Sequence, residues 1–192
     1  MIEIRPATPE RFHDVATLVG PATPGASACW CLSQRLTSGE LAALDPGERA
    51  GVARGLCGRD PAPGVLAYDG ERAVGWASAG PHAAYGRLSR SRTLPPPGDP
   101  AATWVAPCFV VRTGHRGQGV AGHLLEGVVE LARAHRASAV EGYPVDNDGQ
   151  RVSAVLAYVG TRALFERHGF ALVGPTTSRS GGRPRVVVRL EL

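Results

Sequence analysis

A glycine-rich basic loop near the middle of the chain carries the clearest chemical signal in the sequence. It spans residues 116–121 (Arg-Gly-Gln-Gly-Val-Ala) and follows an apolar run that ends at Val111. Glycines allow backbone to approach a ligand closely, and the first amide groups of a helix are free to donate to an anion. Because helical periodicity begins within this loop, the combination predicts a phosphate-binding site.

Two regular elements are expected to hold this loop. The apolar run from about Trp104 to Val111 predicts a buried strand before it, and residues from about Gly119 to Arg136 predict a helix after it. Pairs of apolar residues recur every four positions in that helix and give it one apolar face. Such a helix packs on a sheet and directs the positive end of its dipole at the loop.

The rest of the sequence predicts a mixed α/β fold. Strands are expected at residues 2–5, 65–68, 73–77, 104–111, 139–143, 170–173 and 185–191, and helices at about 9–19, 39–44, 46–57, 119–136 and 161–167. The strand-helix-strand unit in the middle combines both kinds of element in one fold. Residues 81–102 lack periodicity and are expected to form a long loop. We predict a single domain over residues 1–192.

Length and composition fit one globular unit rather than other classes of protein. The chain has 192 residues, of which 43% are hydrophobic, and its net charge of +4 comes from arginines without any lysine. These arginines are spread along the chain, so we expect no nucleic-acid partner. No apolar run approaches the roughly 20 residues that cross a bilayer, so we expect a cytoplasmic protein without a membrane partner. The four cysteines are expected to be reduced thiols.

The loop also matches a dinucleotide-binding pattern. Residues 117–122 fit G-x-G-x-x-G, and Glu141 lies about 20 residues downstream, where a ribose-binding acid would lie. However, the polar run 112–116 separates the strand from the first glycine, whereas the dinucleotide turn is tight, and too few strand-helix units follow to complete such a sheet. A Walker loop is excluded because it requires a lysine.

The same loop resembles the acetyl-CoA-binding motif of the GNAT acyltransferase superfamily, Gln/Arg-x-x-Gly-x-Gly/Ala. Residues 116–121 supply this motif. The resemblance extends along the chain, because an opening Ile-Arg-Pro-Ala-Thr at residues 4–8, a hairpin at 66–77 and a late helix ending in residues 163–170 occur in the family's order. This order favours the GNAT superfamily over the dinucleotide binders.

The resemblance implies a fold and a ligand. In the family, a mostly antiparallel sheet flanked by helices contains a parallel pair of strands, which splay apart to admit acetyl-CoA as cosubstrate without a metal. By resemblance, the acetyl-CoA-binding residues would be Phe109, Val110 and Val111 on the strand, Arg116, Gly117, Gln118, Gly119, Val120 and Ala121 in the loop, and Phe165 on the late helix.

The sequence departs from the family at the step that protonates the leaving thiolate. The late helix usually carries tyrosine where this chain has Phe165, and usually asparagine seven residues earlier, where it has Tyr158. We hypothesise that the Tyr158 hydroxyl acts as the acid; alternatively no acid is needed, because a thiol with a pKa of roughly 8.5 is already a fair leaving group. Glu141 and Asp146 are the candidate bases, acting on the amine directly or through water.

The Cys29-Trp30-Cys31 segment is expected to lie on the acceptor side of the site. Its C-x-C spacing lacks the two-residue gap of zinc knuckles, so we expect packing rather than a metal site. In the family layout this region lies between the first two helices and lines the acceptor side. Trp30 and Cys31 are therefore candidate substrate contacts.

These observations predict an acetyl-CoA-dependent N-acetyltransferase. The expected reaction is direct attack of a primary amine, of a small molecule rather than a protein, within a ternary complex. A non-catalytic acyl-CoA sensor is the first alternative, because of Phe165, and a dinucleotide-dependent oxidoreductase is the second. Dimerisation is common in the family, and the strand at residues 185–191 would supply an edge for a homodimer.

Overall fold

One mixed β-sheet organises the described part of the chain, which in this computed structural model comprises residues 1–23, 26, 28–147, 149–150 and 157–192. Its strands are β1 (Ile2–Pro6), β2 (Gly64–Asp69), β3 (Arg72–Pro81), β4 (Thr103–Val111), β5 (Ala139–Gly142), β6 (Ala171–Ser180) and β7 (Arg183–Glu191). Their order in the sheet is β1-β2-β3-β4-β5-β7-β6. Strands β4 and β5 are parallel, and every other neighbouring pair is antiparallel. The predicted mixed, mostly antiparallel sheet is confirmed.

Helices cover both faces of this sheet. They are α1 (Phe12–Val19), α2 (Ser38–Ala43), α3 (Pro46–Cys57), α4 (Gly86–Ser89), α5 (Val120–Ala134) and α6 (Arg162–Arg167). Successive side chains of a strand point to opposite faces, and β2 shows the result. Val65 and Ala67 pack in the cluster that includes α5, whereas Leu66 and Tyr68 pack in the cluster that includes α1.

Helix α5 makes the central contact on one face. Its apolar stripe, predicted from the four-residue spacing, is buried, and Leu124, Leu125 and Val128 have no exposed surface. Burial of each such side chain contributes about 1.5–3 kcal/mol. A Cβ added to Gly75 of β3 would lie 3.0 Å from side-chain atoms of Leu124 and Val120, so the helix lies close against the sheet. This packing fixes the first turn of α5 beside the sheet.

Strands β4 and β5 separate along their length. They pair only where Thr103–Val105 lies beside Ala139–Glu141. Strand β5 ends at Gly142, whereas β4 continues to Val111 while still pairing with β3. A register shift in the β3–β4 pairing, next to Pro107, accompanies the separation, and proline is tolerated at such an irregularity because it has no amide to donate. The splayed parallel pair implied by the resemblance is present.

The final hairpin is longer than its sequence suggested. Strand β6 runs from Ala171 to Ser180 and pairs with β7 through a two-residue turn at Gly181-Gly182, whose φ angles are +55° and +80°. The prediction of strand at residues 170–173 alone was too short. The prediction that the strand at 185–191 is an edge was wrong, because β7 lies between β5 and β6.

Two further findings concern loops and membranes. Residues 81–102, predicted as a loop without periodicity, contain a short 3-10 turn at His82–Ala84 followed by α4. None of the helices in the described residues is long and apolar enough to cross a membrane.

Candidate functional site

A groove opens where β4 and β5 separate. It has a volume of about 630 Å³. The end of β4, the glycine-rich loop, the first turn of α5, the segment from 158 to 161 and α6 form its walls. The lining residues are Phe109, Val110, Val111, His115, Arg116, Gly117, Gly119, Val120, Ala121, Gly122, Tyr158, Gly160, Thr161, Leu164 and Arg167.

The glycine-rich loop has the geometry of an anion-binding turn. Gly117 and Gly119 have φ angles of +76° and +81°, which non-glycine residues rarely adopt, and a Cβ on either would meet only open space. Gly119 is the N-cap of α5, so the amides of the first helical residues lack intrahelical acceptors. Within residues 117–122 of the described chain, the first amide that donates to a protein acceptor is that of Gly122, 2.8 Å from the Gly119 carbonyl oxygen.

Gly122 has a different role from the two loop glycines. A Cβ at this position would lie 2.7 Å from Nε2 of His168, which follows α6. The third glycine of the dinucleotide-like pattern therefore allows α5 to approach the end of α6. Its presence is explained by packing rather than by a dinucleotide.

The lining of the groove is basic. The described lining carries Arg116, Arg167 and His115 but no carboxylate. Arg116 is held by a hydrogen bond of 3.0 Å from its Nε to the Val111 carbonyl oxygen. His115 Nδ1 is buried and has no hydrogen-bond partner among the described residues, while its Nε2 lies 3.7 Å from Asp69 Oδ2. Such a lining favours an anionic ligand.

A second cavity lies on the other side of the β4 end. Its volume is about 490 Å³, and it is lined by Leu18, Val19, Gly20, Pro21, Ala22, Ala28, Cys29, Cys31, Ser33, Gln34, Cys108, Val110 and Tyr158. Among the described residues, Val110 and Tyr158 line both this cavity and the groove. The Tyr158 side chain is partly open to solvent, with 38% of its surface exposed. A ligand in the groove and a ligand in the second cavity would meet at these two residues.

The predicted acceptor-side residues have different positions. Cys31 lines the second cavity. Trp30 does not appear in that lining, because its ring stacks on Phe12, with 5.9 Å between the ring centroids. Trp30 thus supports the segment that carries Cys31.

The two candidate bases are engaged in ion pairs. Glu141 is buried, and its two carboxylate oxygens accept from Arg189 Nη1 at 2.9 Å and from the Tyr143 hydroxyl at 3.1 Å. Burial raises the pKa of Tyr143, so its hydroxyl stays protonated and able to donate. Asp146 lies 3.4 Å from Arg162 Nη1 and keeps 20% of its side-chain surface exposed. Neither carboxylate belongs to the described lining of the groove or of the second cavity.

Two predicted acetyl-CoA contacts lie outside the groove lining. Phe165 has no exposed surface and packs edge-on against Phe109 and Phe170, at centroid distances of 6.0 and 5.0 Å. Phe165 is therefore a core residue behind the groove, and its ring makes T-shaped contacts with the other two aromatic rings. Gln118 donates from Nε2 to the Gly114 carbonyl oxygen at 3.0 Å, which stabilises the loop.

Six lining residues were not among the predicted site residues: His115, Gly122, Gly160, Thr161, Leu164 and Arg167. A usable signal existed for Thr161, which caps α6 by accepting from the Leu164 amide and so marks where that helix begins. No spacing rule connects α6 with a loop more than 40 residues earlier, so Arg167 required the tertiary fold.

Solved acetyltransferase structures share this fold. The chain is 18% identical to a ribosomal-protein-alanine N-acetyltransferase from Brucella melitensis, with 99% of each chain covered and a TM-score of 0.58. It is 14% identical to an N-acetyltransferase from Staphylococcus aureus Mu50, with 100% of this chain and 98% of that chain covered and a TM-score of 0.57. For an acetyltransferase of the GNAT family from Streptococcus pneumoniae, the identity is 17%, all of both chains is covered and the TM-score is 0.55.

The sequence itself connects the chain with one family. No curated protein matches it. The profile of the Acetyltransferase (GNAT) family, however, matches residues 40–170, which include the glycine-rich loop and α6. The chain therefore belongs to the Acetyltransferase (GNAT) family.

Proposed function

We propose that this protein transfers an acetyl group from acetyl-CoA to a primary amine of a small molecule, by direct attack within a ternary complex. The observation that carries the proposal is the meeting of two cavities at Val110 and Tyr158. One cavity contains a turn suited to phosphate, and the other has a volume suited to a small acceptor. Membership of an acetyltransferase family supports the acyl transfer.

The groove fits acetyl-CoA by its donors and its charge. Amides of residues 117–121 would hold the pyrophosphate, and Arg116 and Arg167 would add positive charge beside it. The unpartnered His115 Nδ1 is a further polar atom in this wall. Phe109, Val110 and Val111 would contact the pantetheine arm along β4. Bound acetyl-CoA would supply the acetyl thioester.

The chain's own groups would act at the junction of the cavities. A backbone amide at the end of β4, on the side that β5 leaves free, would donate to the developing oxyanion. The Tyr158 hydroxyl would donate a proton to the leaving sulfur. Of the two candidate bases, Asp146 is favoured because it is the more exposed, whereas the carboxylate of Glu141 is buried and accepts two hydrogen bonds.

Thermal unfolding in the presence of ligands tests this proposal. A ligand at about 100 times its Kd adds about 2.7 kcal/mol, so acetyl-CoA should raise the Tm by roughly 5–10 °C. ADP is the matched control for the nucleotide part and NAD for a dinucleotide. A shift with NAD and none with acetyl-CoA would contradict the proposal.

Turnover distinguishes an enzyme from a sensor. Phe165 in place of a hydroxyl-bearing residue is the observation that keeps a non-catalytic acyl-CoA sensor as the second candidate. Release of free CoA thiol is measured across a panel of small primary amines, with acetylated product identified by mass spectrometry. A Tm shift with acetyl-CoA but no amine-dependent thiol release would favour the sensor.

A further inference from the structure

Two thiols in the wall of the second cavity lie in contact. Cys31 follows α1 and Cys108 lies on β4, and their Sγ atoms are 3.2 Å apart although 77 positions separate them in the sequence. Both residues line the second cavity, in which Cys31 is buried and Cys108 is partly exposed. A disulfide requires a separation of about 2.05 Å between the sulfurs, so the two sulfurs would have to approach by about 1 Å.

The backbone around Cys31 is held in an unusual conformation. Trp30 and Cys31 have φ angles of +51° and +53°, a region that costs a non-glycine residue about 1–2 kcal/mol. The stacking of Trp30 on Phe12 stabilises this turn. The strained turn places the Cys31 sulfur against β4, and strain of this kind is concentrated at functional positions.

The hydrogen bonds give the two sulfurs different roles. The Trp76 indole nitrogen, which can only donate, lies 3.1 Å from Cys31 Sγ, so this sulfur acts as an acceptor. The hydrogen bond with Cys108 lowers the pKa of Cys31, whereas it raises the pKa of Cys108. The positive charge of Arg35 contributes to the lower pKa of Cys31. Of the pair, Cys31 is thus the thiol that loses its proton more readily, and Cys108 is the one that keeps it.

The other two cysteines lack this arrangement. Burial raises the pKa of Cys57 to about 11, and this residue does not belong to the described lining of the second cavity. Cys29 lines the same cavity and is exposed, so a solute that enters the cavity also contacts Cys29. Cys29 is therefore the matched control for accessibility, and Cys57 the control for burial.

We propose that Cys31 and Cys108 form an oxidation site that a peroxide converts into a disulfide in the wall of the second cavity. The Cys31 thiolate attacks one peroxide oxygen, the O–O bond breaks, and the released hydroxide takes up a proton to give water. Cys108 then attacks the sulfenic sulfur, the S–S bond forms, and the departing hydroxide takes the Cys108 proton. Two thiols are oxidised, and one hydrogen peroxide is reduced to two waters.

The disulfide would change the acceptor side of the protein, an effect that rests on the proposed function. Closing the sulfurs would reshape the wall of the second cavity at Cys108, two positions before Val110, which lines both cavities. Acetyl transfer should fall by about tenfold, because a displacement of about 1 Å in a positioned site can cost as much as a hundredfold. Acetyl-CoA binding should weaken less than acetyl transfer, since neither cysteine belongs to the described lining of the groove and the glycine-rich loop does not line the second cavity.

Mapping of the cross-link tests the site independently of enzymatic activity. Reduced wild-type protein is treated with a small excess of hydrogen peroxide, remaining thiols are alkylated after denaturation, and peptides are identified by mass spectrometry. We expect one peptide pair joined through Cys31 and Cys108, lighter by two hydrogens and separated by dithiothreitol. The Cys29→Ser variant should keep this cross-link, and in Cys108→Ser dimedone should trap Cys31 as a sulfenic acid.

Two results would overturn the proposal. One is oxidation of Cys29 in wild-type protein while Cys31 and Cys108 stay alkylatable; the other is a cross-link of Cys31 with Cys29. Mapping of the wild-type protein distinguishes these results from the expected cross-link even if Cys108→Ser does not fold. Comparing acetyl transfer before and after oxidation tests only the effect on the acceptor side, and an unchanged rate would overturn that effect while the mapped cross-link remained.

Discussion

Tyr158 is the titratable side chain that the described linings of the two cavities share. With 38% of its surface exposed, Tyr158 is accessible from solvent. Phe165, seven residues further along the chain, has no ionisable proton, and its ring packs against two other aromatic rings. Under the proposed function, Tyr158 would therefore donate the proton from a position seven residues before the one that carries tyrosine in the family.

Replacement of Tyr158 tests this role. We expect Tyr158→Phe to lower kcat by about tenfold and to leave the KM for acetyl-CoA unchanged. This loss is smaller than the roughly 100- to 10,000-fold typical of general acid catalysis, because a thiolate is a fair leaving group. Steady-state kinetics measure both constants. Tyr68→Phe is the matched control, because the Tyr68 hydroxyl donates to Asp14 at 2.6 Å and Tyr68 lines neither cavity. A full kcat in Tyr158→Phe would remove the hydroxyl from the mechanism.

The sequence predicted individual residues best where local backbone determines their role. Gly117 and Gly119 were recognised because their φ values follow from the loop they form. Glu141 was a plausible base by position, but its ion pair with Arg189 of β7 depends on strand pairing that no local pattern reveals. The core position of Phe165 similarly depends on Phe109 and Phe170, which reach it from other elements.

At the scale of elements, the glycine-rich turn connects β4 with the first turn of α5, where we propose that the anion binds. We expect Gly119→Ala to cost about 1–2 kcal/mol, because alanine is strained at a φ of +81° even though its Cβ would meet open space. The cost appears as a lower free energy of unfolding if the turn is kept, or as a Kd for acetyl-CoA raised about 5- to 30-fold if the turn relaxes. Chemical denaturation and calorimetric titration measure the two quantities.

The matched control for this turn is Gly114→Ala. Gly114 lies in the preceding 3-10 turn, has open space around it and does not have a positive φ. This variant should keep both the stability and the affinity of the wild type. An unchanged Kd and unchanged stability in Gly119→Ala would show that the turn does not require its left-handed residue.

Elements with strong local signals were predicted well. The capping box of Asp45 and Glu48 begins α3 as expected, and the apolar period of α5 predicted its buried face. Strand β6 was missed in large part, because it contains Gly174, Pro175 and several serines and threonines. It forms by pairing with β7 alone, so a single partner strand outweighs weak local propensity.

At the scale of the whole molecule, the candidate site is assembled from segments far apart in the sequence. The groove brings the end of β4 together with α6, and the second cavity brings the residues after α1 to the other side of β4. The groove was expected from the sequence because the order of elements resembles that of the GNAT family, in which two strands splay apart. The contact of Cys31 with Cys108 was not foreseen, because it depends on the packing of a loop without periodicity against the sheet.

The charge of the whole molecule should also affect ligand binding. The net charge of +4 and the basic groove both attract an anion, and salt screens this attraction over about 10 Å at 0.1 M. We expect the Kd for acetyl-CoA to rise about threefold between roughly 0.05 and 0.5 M salt, because the contributing charges are partly exposed. Calorimetric titration over a salt series measures this dependence.

A pair of arginine variants separates the groove from the overall charge. Arg167→Gln removes a charge from the groove lining, whereas Arg133→Gln removes one from α5, where Arg133 pairs with Glu130 at 2.8 Å outside that lining. We expect Arg167→Gln to raise the Kd about 3- to 10-fold at low salt and to flatten the salt dependence, because it acts at short range on the ligand. Arg133→Gln should change the Kd by less than about twofold, since an exposed pair contributes little. Equal effects of the two substitutions would mean that net charge, and not the groove, attracts the ligand.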